Sequence, residues 1–174
     1  MSQMRSQTRL AFGSVIAVAA VAVAVAAHAQ EVLGTYDAWT AFNDKSSGKQ
    51  ICYIGSKPKK AEGNYTKRGD AFVLVTHRPA EKVVGEVSFE AGYTFKTGSE
   101  PTVTIGSRTF TLFTKGSNAW AQDASADRSL IAAMKGGSEM VVKGTSSRGT
   151  PTTDTYSLSG FTAAYGSISK SCGI

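Results

Sequence analysis

Short segments with alternating apolar and polar residues dominate the chain after residue 50. The clearest is residues 83–91, where one side is apolar or glycine and the other is polar, as in a strand with one buried face. Residues 71–75 are continuously apolar, which indicates a strand buried on both faces. The same criteria predict further strands at residues 50–54, 139–145 and 151–158.

A β-hairpin is predicted around residues 106–107, Gly-Ser, because alternating segments at 103–105 and 110–112 flank this pair. Gly-Ser between two such segments is typical of a tight hairpin turn. Residues 55–68 are rich in lysine, proline and glycine, which predicts a surface loop. Residues 30–49 fit either an edge strand or a loose turn.

Two later segments have helical spacing. Residues 127–135 place their apolar side chains on one face, with Ser125 or Asp127 as the predicted N-cap. A second helix is predicted after Ser159, and its apolar face consists of Phe161, Ala164, Tyr165, Ile168 and Cys172. The pattern therefore predicts an α+β fold that is mainly β, an antiparallel β-sandwich or barrel with two short helices on one side.

The first 29 residues have the features of a cleaved signal peptide. Arg5 and Arg9 precede an apolar stretch at residues 11–27, and Ala-His-Ala at residues 27–29 is a small-x-small cleavage site. An uncut membrane anchor is the alternative, although the stretch is short for a span of about 20 residues. We expect residues 30–174 to form a single domain with no transmembrane segment.

Charge narrows the choice of partners. The 174 residues include 19 basic and 13 acidic side chains, a formal charge of +6. Loss of Arg5 and Arg9 with the signal peptide lowers this to about +4. Such a mild and dispersed excess fits weak contact with an anionic surface and does not indicate nucleic-acid binding.

Cys52 and Cys172 are the two cysteines of the chain. In an oxidising compartment they are expected to form a disulfide, with free thiols or a bridge between chains as alternatives. There is no C-x-x-C redox motif, and His77, the one histidine after the signal peptide, cannot complete a structural zinc site. The sequence therefore predicts no metal and no cofactor.

A distinctive segment at residues 140–161 continues to Cys172, and shorter ones precede it at residues 51–60, 67–69, 75–79, 92–96 and 119–120. In this order they resemble the invasion-associated locus B family of exported bacterial proteins. The resemblance implies a periplasmic protein, with the outer-membrane surface or secretion as alternatives. Because pathogenic members of the family are linked to host-cell entry, the resemblance also implies that association. It brings no catalytic residues.

His77 is the residue on which a catalytic hypothesis would depend. It follows the predicted strand 71–75 and precedes Arg78-Pro79, so a structural histidine is one interpretation and a general base of a hydrolase is the other. A serine hydrolase would lack the G-x-S-x-G motif, because residues 144–149 do not have that spacing. We therefore predict no enzyme activity and no catalytic residues.

Candidate binding residues lie in two polar segments. Arg148 and Asp154 face each other across a predicted turn, where they can form a surface ion pair worth about 0–1 kcal/mol. Alternatively, Arg148 and Gly149 contact a ligand or partner from a fixed turn. The second segment is a basic loop that can contact lipopolysaccharide, phospholipid or sulfated glycan, or be simply a solvated face: Lys57, Lys59, Lys60, Lys67 and Arg68.

These features favour an exported, non-enzymatic module that binds a protein or glycan of the envelope or of a host cell. A structural or stress-related envelope factor of the chaperone or inhibitor type is the alternative. A hydrolase that uses His77 or paired acids is the third hypothesis. Trp39 and Trp120 are either core residues or exposed recognition residues.

Overall fold

The computed structural model describes residues 30–174, and the predicted signal peptide lies outside the described residues. In these residues a 3₁₀ helix covers Pro79–Glu81, and the α-helices are α1 (Ala124–Gly136) and α2 (Phe161–Cys172). Within residues 30–174 no helix has the length and apolar character needed to span a membrane. The strands in this described part of the chain are β1 (Glu31–Tyr36), β2 (Trp39–Asp44), β3 (Ile51–Ser56), β4 (Lys60–Gly63), β5 (Phe72–Arg78), β6 (Val83–Glu90), β7 (Thr102–Ile105), β8 (Arg108–Lys115), β9 (Asn118–Ala121), β10 (Glu139–Thr145) and β11 (Pro151–Ser157).

The strands pair antiparallel in the order β1-β2-β3-β5-β6-β9-β8-β7-β10-β11-β4. Strand β8 joins two halves of the sheet, because residues 108–111 pair with β7 and residues 112–115 pair with β9. The sheet stays open, with β1 and β4 at its edges. The predicted α+β fold is confirmed, in a sandwich-like rather than a closed barrel form.

The predicted hairpins are confirmed by the strand register. Ile105 pairs with Arg108 and leaves Gly106-Ser107 as a two-residue turn, with Gly106 at a φ of 58°. Strands β10 and β11 have almost the predicted bounds and leave residues 146–150 as their connection. Within residues 30–49, for which the sequence left two options, residues 31–44 form the β1–β2 hairpin.

Two strands differ from the expectation. β5 alternates between buried side chains, such as Val73 and Val75, and half-buried ones such as Leu74, so it is not buried on both faces. The predicted loop 55–68 contains β4, which pairs with β11 although its four residues are exposed. Backbone hydrogen bonds make this pairing, so no pattern of buried side chains encodes it.

The helix caps also differ from the expectation. Asp123, rather than Ser125 or Asp127, caps α1, and its carboxylate accepts two backbone N–H groups of the first turn. Gly160 precedes α2 in place of Ser159. Its φ of 82° suits glycine, and an added Cβ would lie 2.0 Å from the backbone carbonyl oxygen of Tyr36.

Helix α2 covers β1, β2, β3 and β5 with its apolar face. Its residues Phe161, Ala164 and Ile168 are fully buried. The predicted disulfide is confirmed, because Cys172 at the end of α2 is bonded to Cys52 in β3, with 6.0 Å between their Cα atoms. The bond joins the last helix to the third strand across 120 residues of sequence.

Candidate functional site

A polar cleft lies where three connections of the sheet meet: the segment 64–71 after β4, the segment 91–96 after β6, and the turn 146–150. Its volume of about 520 Å³ is within the ~300–1,000 Å³ range of small-molecule sites. The lining residues are Asn64, Tyr65, Thr66, Lys67, Arg68, Gly69, Gly92, Tyr93, Thr94, Ser146, Ser147, Arg148, Thr150 and Thr152.

Backbone hydrogen bonds hold the three segments together. The N–H of Gly69 donates to the carbonyl of Gly92 at 2.9 Å, and the N–H of Ser147 donates to the carbonyl of Thr94 at 2.7 Å. Gly92 has a φ of 70°, and a Cβ there would lie 2.3 Å from the carbonyl oxygen of Gly69. Glycine at position 92 therefore permits the approach that forms one wall of the cleft.

Arg68 and Asp154 form a buried ion pair beneath the cleft. The Nη1 and Nη2 atoms of Arg68 donate to the two carboxylate oxygens of Asp154 at 2.7 and 2.5 Å. The Nε atom donates to the carbonyl of Ala91 at 2.7 Å. The two side chains are only 5% and 7% exposed. Burial opposes the charged form of Arg68, but the hydrogen bonds to Asp154 and the charge of Asp154 outweigh this effect and raise the pKa of Arg68.

Tyr65 and Tyr93 are fixed by the same guanidinium. The Cζ atom of Arg68 lies 5.5 Å from the ring centre of Tyr65 and 5.0 Å from that of Tyr93, distances typical of cation–π contacts. The hydroxyl groups of Tyr93 and Thr152 are 2.6 Å apart and hydrogen-bonded. Burial raises the pKa of Tyr93. Both rings line the cleft in set orientations.

The predicted ion pair of Arg148 and Asp154 is wrong. Asp154 points inward from β11 to Arg68, whereas Arg148 is exposed at the turn and lines the cleft. The alternation of β11 explains this, because Thr152, Asp154 and Tyr156 share its buried face. Across the part of the chain that the structure describes, neither Lys67 nor Arg148 forms an ion pair, and no acidic residue lines the cleft.

Gly149 shapes the turn rather than the cleft wall. It has a φ of 83°, and its N–H donates to the carbonyl of Ser146 at 2.8 Å. The side-chain hydroxyl of Ser146 accepts the N–H of Thr150 at 3.2 Å. The turn that carries Arg148 is thus closed by its own hydrogen bonds.

Three of the four lysines in the predicted basic loop are paired with acids. The Nζ atom of Lys57 lies 3.5 Å from a carboxylate oxygen of Asp70. The same distance is 2.5 Å between Lys59 and Glu139 and 2.9 Å between Lys60 and Glu62. All six side chains are well exposed, so each pair contributes about 0–1 kcal/mol to stability. The pairs leave these lysines with little net positive field, in contrast to Lys67 at the cleft.

His77 is completely buried under α2. Its Nδ1 atom accepts the backbone N–H of Gly85 at 3.0 Å, so this nitrogen is unprotonated. Its Nε2 atom then donates to the hydroxyl of Ser169 at 3.1 Å. Burial, with the nearby charge of Lys135, lowers the pKa of His77. Both nitrogens are engaged in holding β5, β6 and α2 together.

The two tryptophans lie away from the cleft. Trp39 is fully buried, and its Nε1 atom donates to the carbonyl of Ser157 at 3.0 Å. Trp120 stacks on Phe113 with ring centres 5.6 Å apart, in a second groove of about 610 Å³. Asp127 also lines this groove, and its carboxylate accepts the N–H of Val87 at 3.0 Å.

Sequence reasoning missed the roles of Tyr65 and Tyr93. Both lie in polar segments that carry no periodic signal, so the sequence alone gave them no partner. Residues 30–174 contain no group of three or more metal-ligating side chains.

The fold and cleft define an open-sheet, disulfide-linked α+β protein with a polar cleft formed by three connections of its sheet. The sequence model described as "Invasion associated locus B (IalB) protein" matches residues 39–169, and the chain belongs to this family, whose members are typically exported. No curated protein and no solved structure shows a significant match to the chain.

Proposed function

We propose that this chain is an exported, non-enzymatic binding module that holds its ligand in the polar cleft. The observation that carries the proposal is a preformed cleft in which exposed Lys67 and Arg148 face no carboxylate of the lining. Backbone hydrogen bonds fix the walls, so little ordering of the protein opposes binding. The engagement of both nitrogens of His77 supports a role without catalysis.

Export supports a ligand of the cell envelope or of a host cell. Family membership and the disulfide agree with a protein that folds outside the cytosol. We propose the periplasm as its location, with the outer-membrane surface or secretion as alternatives. The resemblance to the family suggests host-cell entry as one use of such a module.

Nuclear magnetic resonance can test the site. The ¹⁵N-labelled exported protein is titrated with neutral and anionic oligosaccharides and with acidic peptides. We expect shift changes that cluster at residues 64–69, 92–94 and 146–150, and that disappear in Tyr93→Ala but persist in the control Phe113→Ala. Saturable binding that leaves these segments unchanged would overturn the proposal. Changes confined to the groove of Phe113 and Trp120 would favour the chaperone or inhibitor alternative.

A further inference from the structure

We propose that the ligand of the cleft is an anionic saccharide, with a sulfate or phosphate group bound by Lys67 and Arg148 and the sugar hydroxyls bound by the polar side chains around them. This inference rests on the proposed binding function and names its ligand class. Three independent properties of the cleft support it.

The first property is charge. The guanidinium of Arg68 is neutralised by Asp154 beneath the cleft. Lys57, Lys59 and Lys60 each form an ion pair with an acidic side chain. Lys67 and Arg148 are exposed in the same cleft and form no ion pair within residues 30–174. Their ammonium and guanidinium groups are therefore available for charge-assisted hydrogen bonds to sulfate or phosphate oxygens.

The second property is the density of hydroxyl and amide groups. Hydroxyl and amide side chains both donate and accept hydrogen bonds, as the hydroxyls of a sugar do. No aliphatic Leu, Ile or Val side chain lines the cleft, so it offers no apolar pocket for the side chains of a bound peptide. The exposed or half-buried groups of this kind are Asn64, Thr66, Thr94, Ser147 and Thr150.

The third property is a pair of aromatic rings with little freedom. Tyr65 and Tyr93 are half-buried in the lining and are positioned by Arg68. The hydroxyl of Tyr93 is also hydrogen-bonded to that of Thr152. Rigid tyrosine rings combine an apolar surface with a polar end, which suits the C–H face and hydroxyl edge of a sugar ring. Arg68 acts here as a positioning residue because its hydrogen bonds go to Asp154 and Ala91.

Calorimetry with defined probes tests the ligand class and its source. The exported protein is titrated with a sulfated heparin oligosaccharide, with its desulfated form, and with a phosphorylated lipopolysaccharide core oligosaccharide before and after dephosphorylation. Phosphatidylcholine vesicles containing phosphatidylglycerol test a simple anionic membrane. We expect removal of the sulfate or phosphate groups to weaken binding at least about tenfold.

Two variants with equal charge loss separate the cleft from general electrostatics. Lys67→Ala/Arg148→Ala should weaken anionic saccharide binding at least about tenfold. Lys45→Ala/Lys115→Ala removes two exposed charges that do not line the cleft, and should change binding less than about twofold. Preference for the sulfated or the phosphorylated probe would identify the source of the ligand.

Several results would overturn the inference. Equal binding of the charged and neutral saccharides, equal weakening by both double variants, or binding to anionic vesicles alone would each exclude an anionic saccharide in the cleft. Neutral saccharide or peptide binding that Tyr93→Ala abolishes would reject the ligand class and leave the proposed function intact. A ligand that binds without contact to the cleft would reject both.

Discussion

Arg68 and Asp154 lie 86 residues apart in sequence, yet they form a two-point ion pair beneath the cleft. Three hydrogen bonds use the guanidinium, two to the carboxylate and one to the carbonyl of Ala91. The pair ties the segment after β4 to β11 and sets the positions of Tyr65 and Tyr93. Stability and binding should therefore both depend on it.

Removal of Arg68 should destabilise the protein strongly. Arg68→Ala leaves the carboxylate of Asp154 buried without its partner, so we expect a loss of about 3–5 kcal/mol in the free energy of unfolding. Arg68→Met/Asp154→Leu removes both charges and should lose less. Urea denaturation measures both, with Lys57→Ala as an exposed control that should cost less than about 1 kcal/mol. A double variant less stable than Arg68→Ala would contradict this explanation.

The disulfide should contribute strongly to stability. For a closed loop of 120 residues, chain entropy gives an upper contribution of about 5 kcal/mol, and we expect about 3–5 kcal/mol. Denaturation of Cys52→Ser/Cys172→Ser measures it, and reductant should bring the wild-type protein close to the variant. A loss below about 1 kcal/mol would show that packing of α2 suffices without the bond.

His77 should make the protein less stable in mild acid. The pKa of His77 is lowered in the folded protein, whereas in the unfolded chain it stays near the ordinary value of 6.5. The unfolded chain therefore takes up a proton first as the pH falls, and stability decreases below about pH 6.5. His77→Gln should flatten this part of the curve of unfolding free energy against pH. An unchanged slope would show that other groups cause the dependence.

Asp127 should have the opposite effect. Burial, aided by Glu86 and Asp123, raises its pKa from 3.8 to about 6, against the hydrogen bond from Val87 and the charge of Arg128. The folded protein then holds a proton that the unfolded chain lacks between these values, so Asp127 costs stability as the pH rises through this window. The cost is on the order of 3 kcal/mol above about pH 6.

Asp127→Asn should therefore be more stable than the wild type at about pH 8, with the advantage gone near pH 3.5. Thermal unfolding across this range measures the difference. Asp70→Asn, at a position with a 78% exposed side chain, is the control and should change the stability at pH 8 by less than about 1 kcal/mol. A constant difference between Asp127→Asn and the wild type at all pH values would exclude titration as its cause.

Gly92 and Gly98 provide a matched pair for testing the cleft wall. Their φ values are 70° and 71°, but an added Cβ would meet the carbonyl of Gly69 at 2.3 Å in the first case and no atom within 4 Å in the second. Gly98→Ala should cost about 1–2 kcal/mol, and Gly92→Ala about 2–5 kcal/mol together with loss of ligand binding. Equal costs in denaturation experiments would show that the approach of the two segments is unimportant.

Local patterns predicted much of the sheet correctly. The bounds of β10 and β11 follow from their alternation and from the short turn between them, because a hairpin depends on neighbouring residues. The path of β4 was not predictable in this way, since its side chains are exposed and its pairing with β11 is made by the backbone. The caps at Asp123 and Gly160 were missed because neighbouring polar residues offered equally good candidates.

The residues of the cleft, like the strands, could be predicted from the sequence only in part. The turn carrying Arg148 was predicted, but Tyr65 and Tyr93 come from segments without a periodic pattern and meet only in the folded chain. The period of two in β11 does place Asp154 on the same face as buried Tyr156. A carboxylate on that face requires a buried partner.

The sequence by itself determined the β7–β8 and β10–β11 hairpins and the buried face of α2, since each depends on local periodicity, and it allowed only one intramolecular disulfide, Cys52 with Cys172. The partner of Asp154 was decided by tertiary structure. Arg148 is nearer in the chain, but strand alternation directs the carboxylate inward, where the fold brings Arg68. A buried carboxylate without a partner is too costly in free energy, so Asp154 pairs with Arg68, the cation that the fold places within reach. Arg148 stays exposed in the cleft.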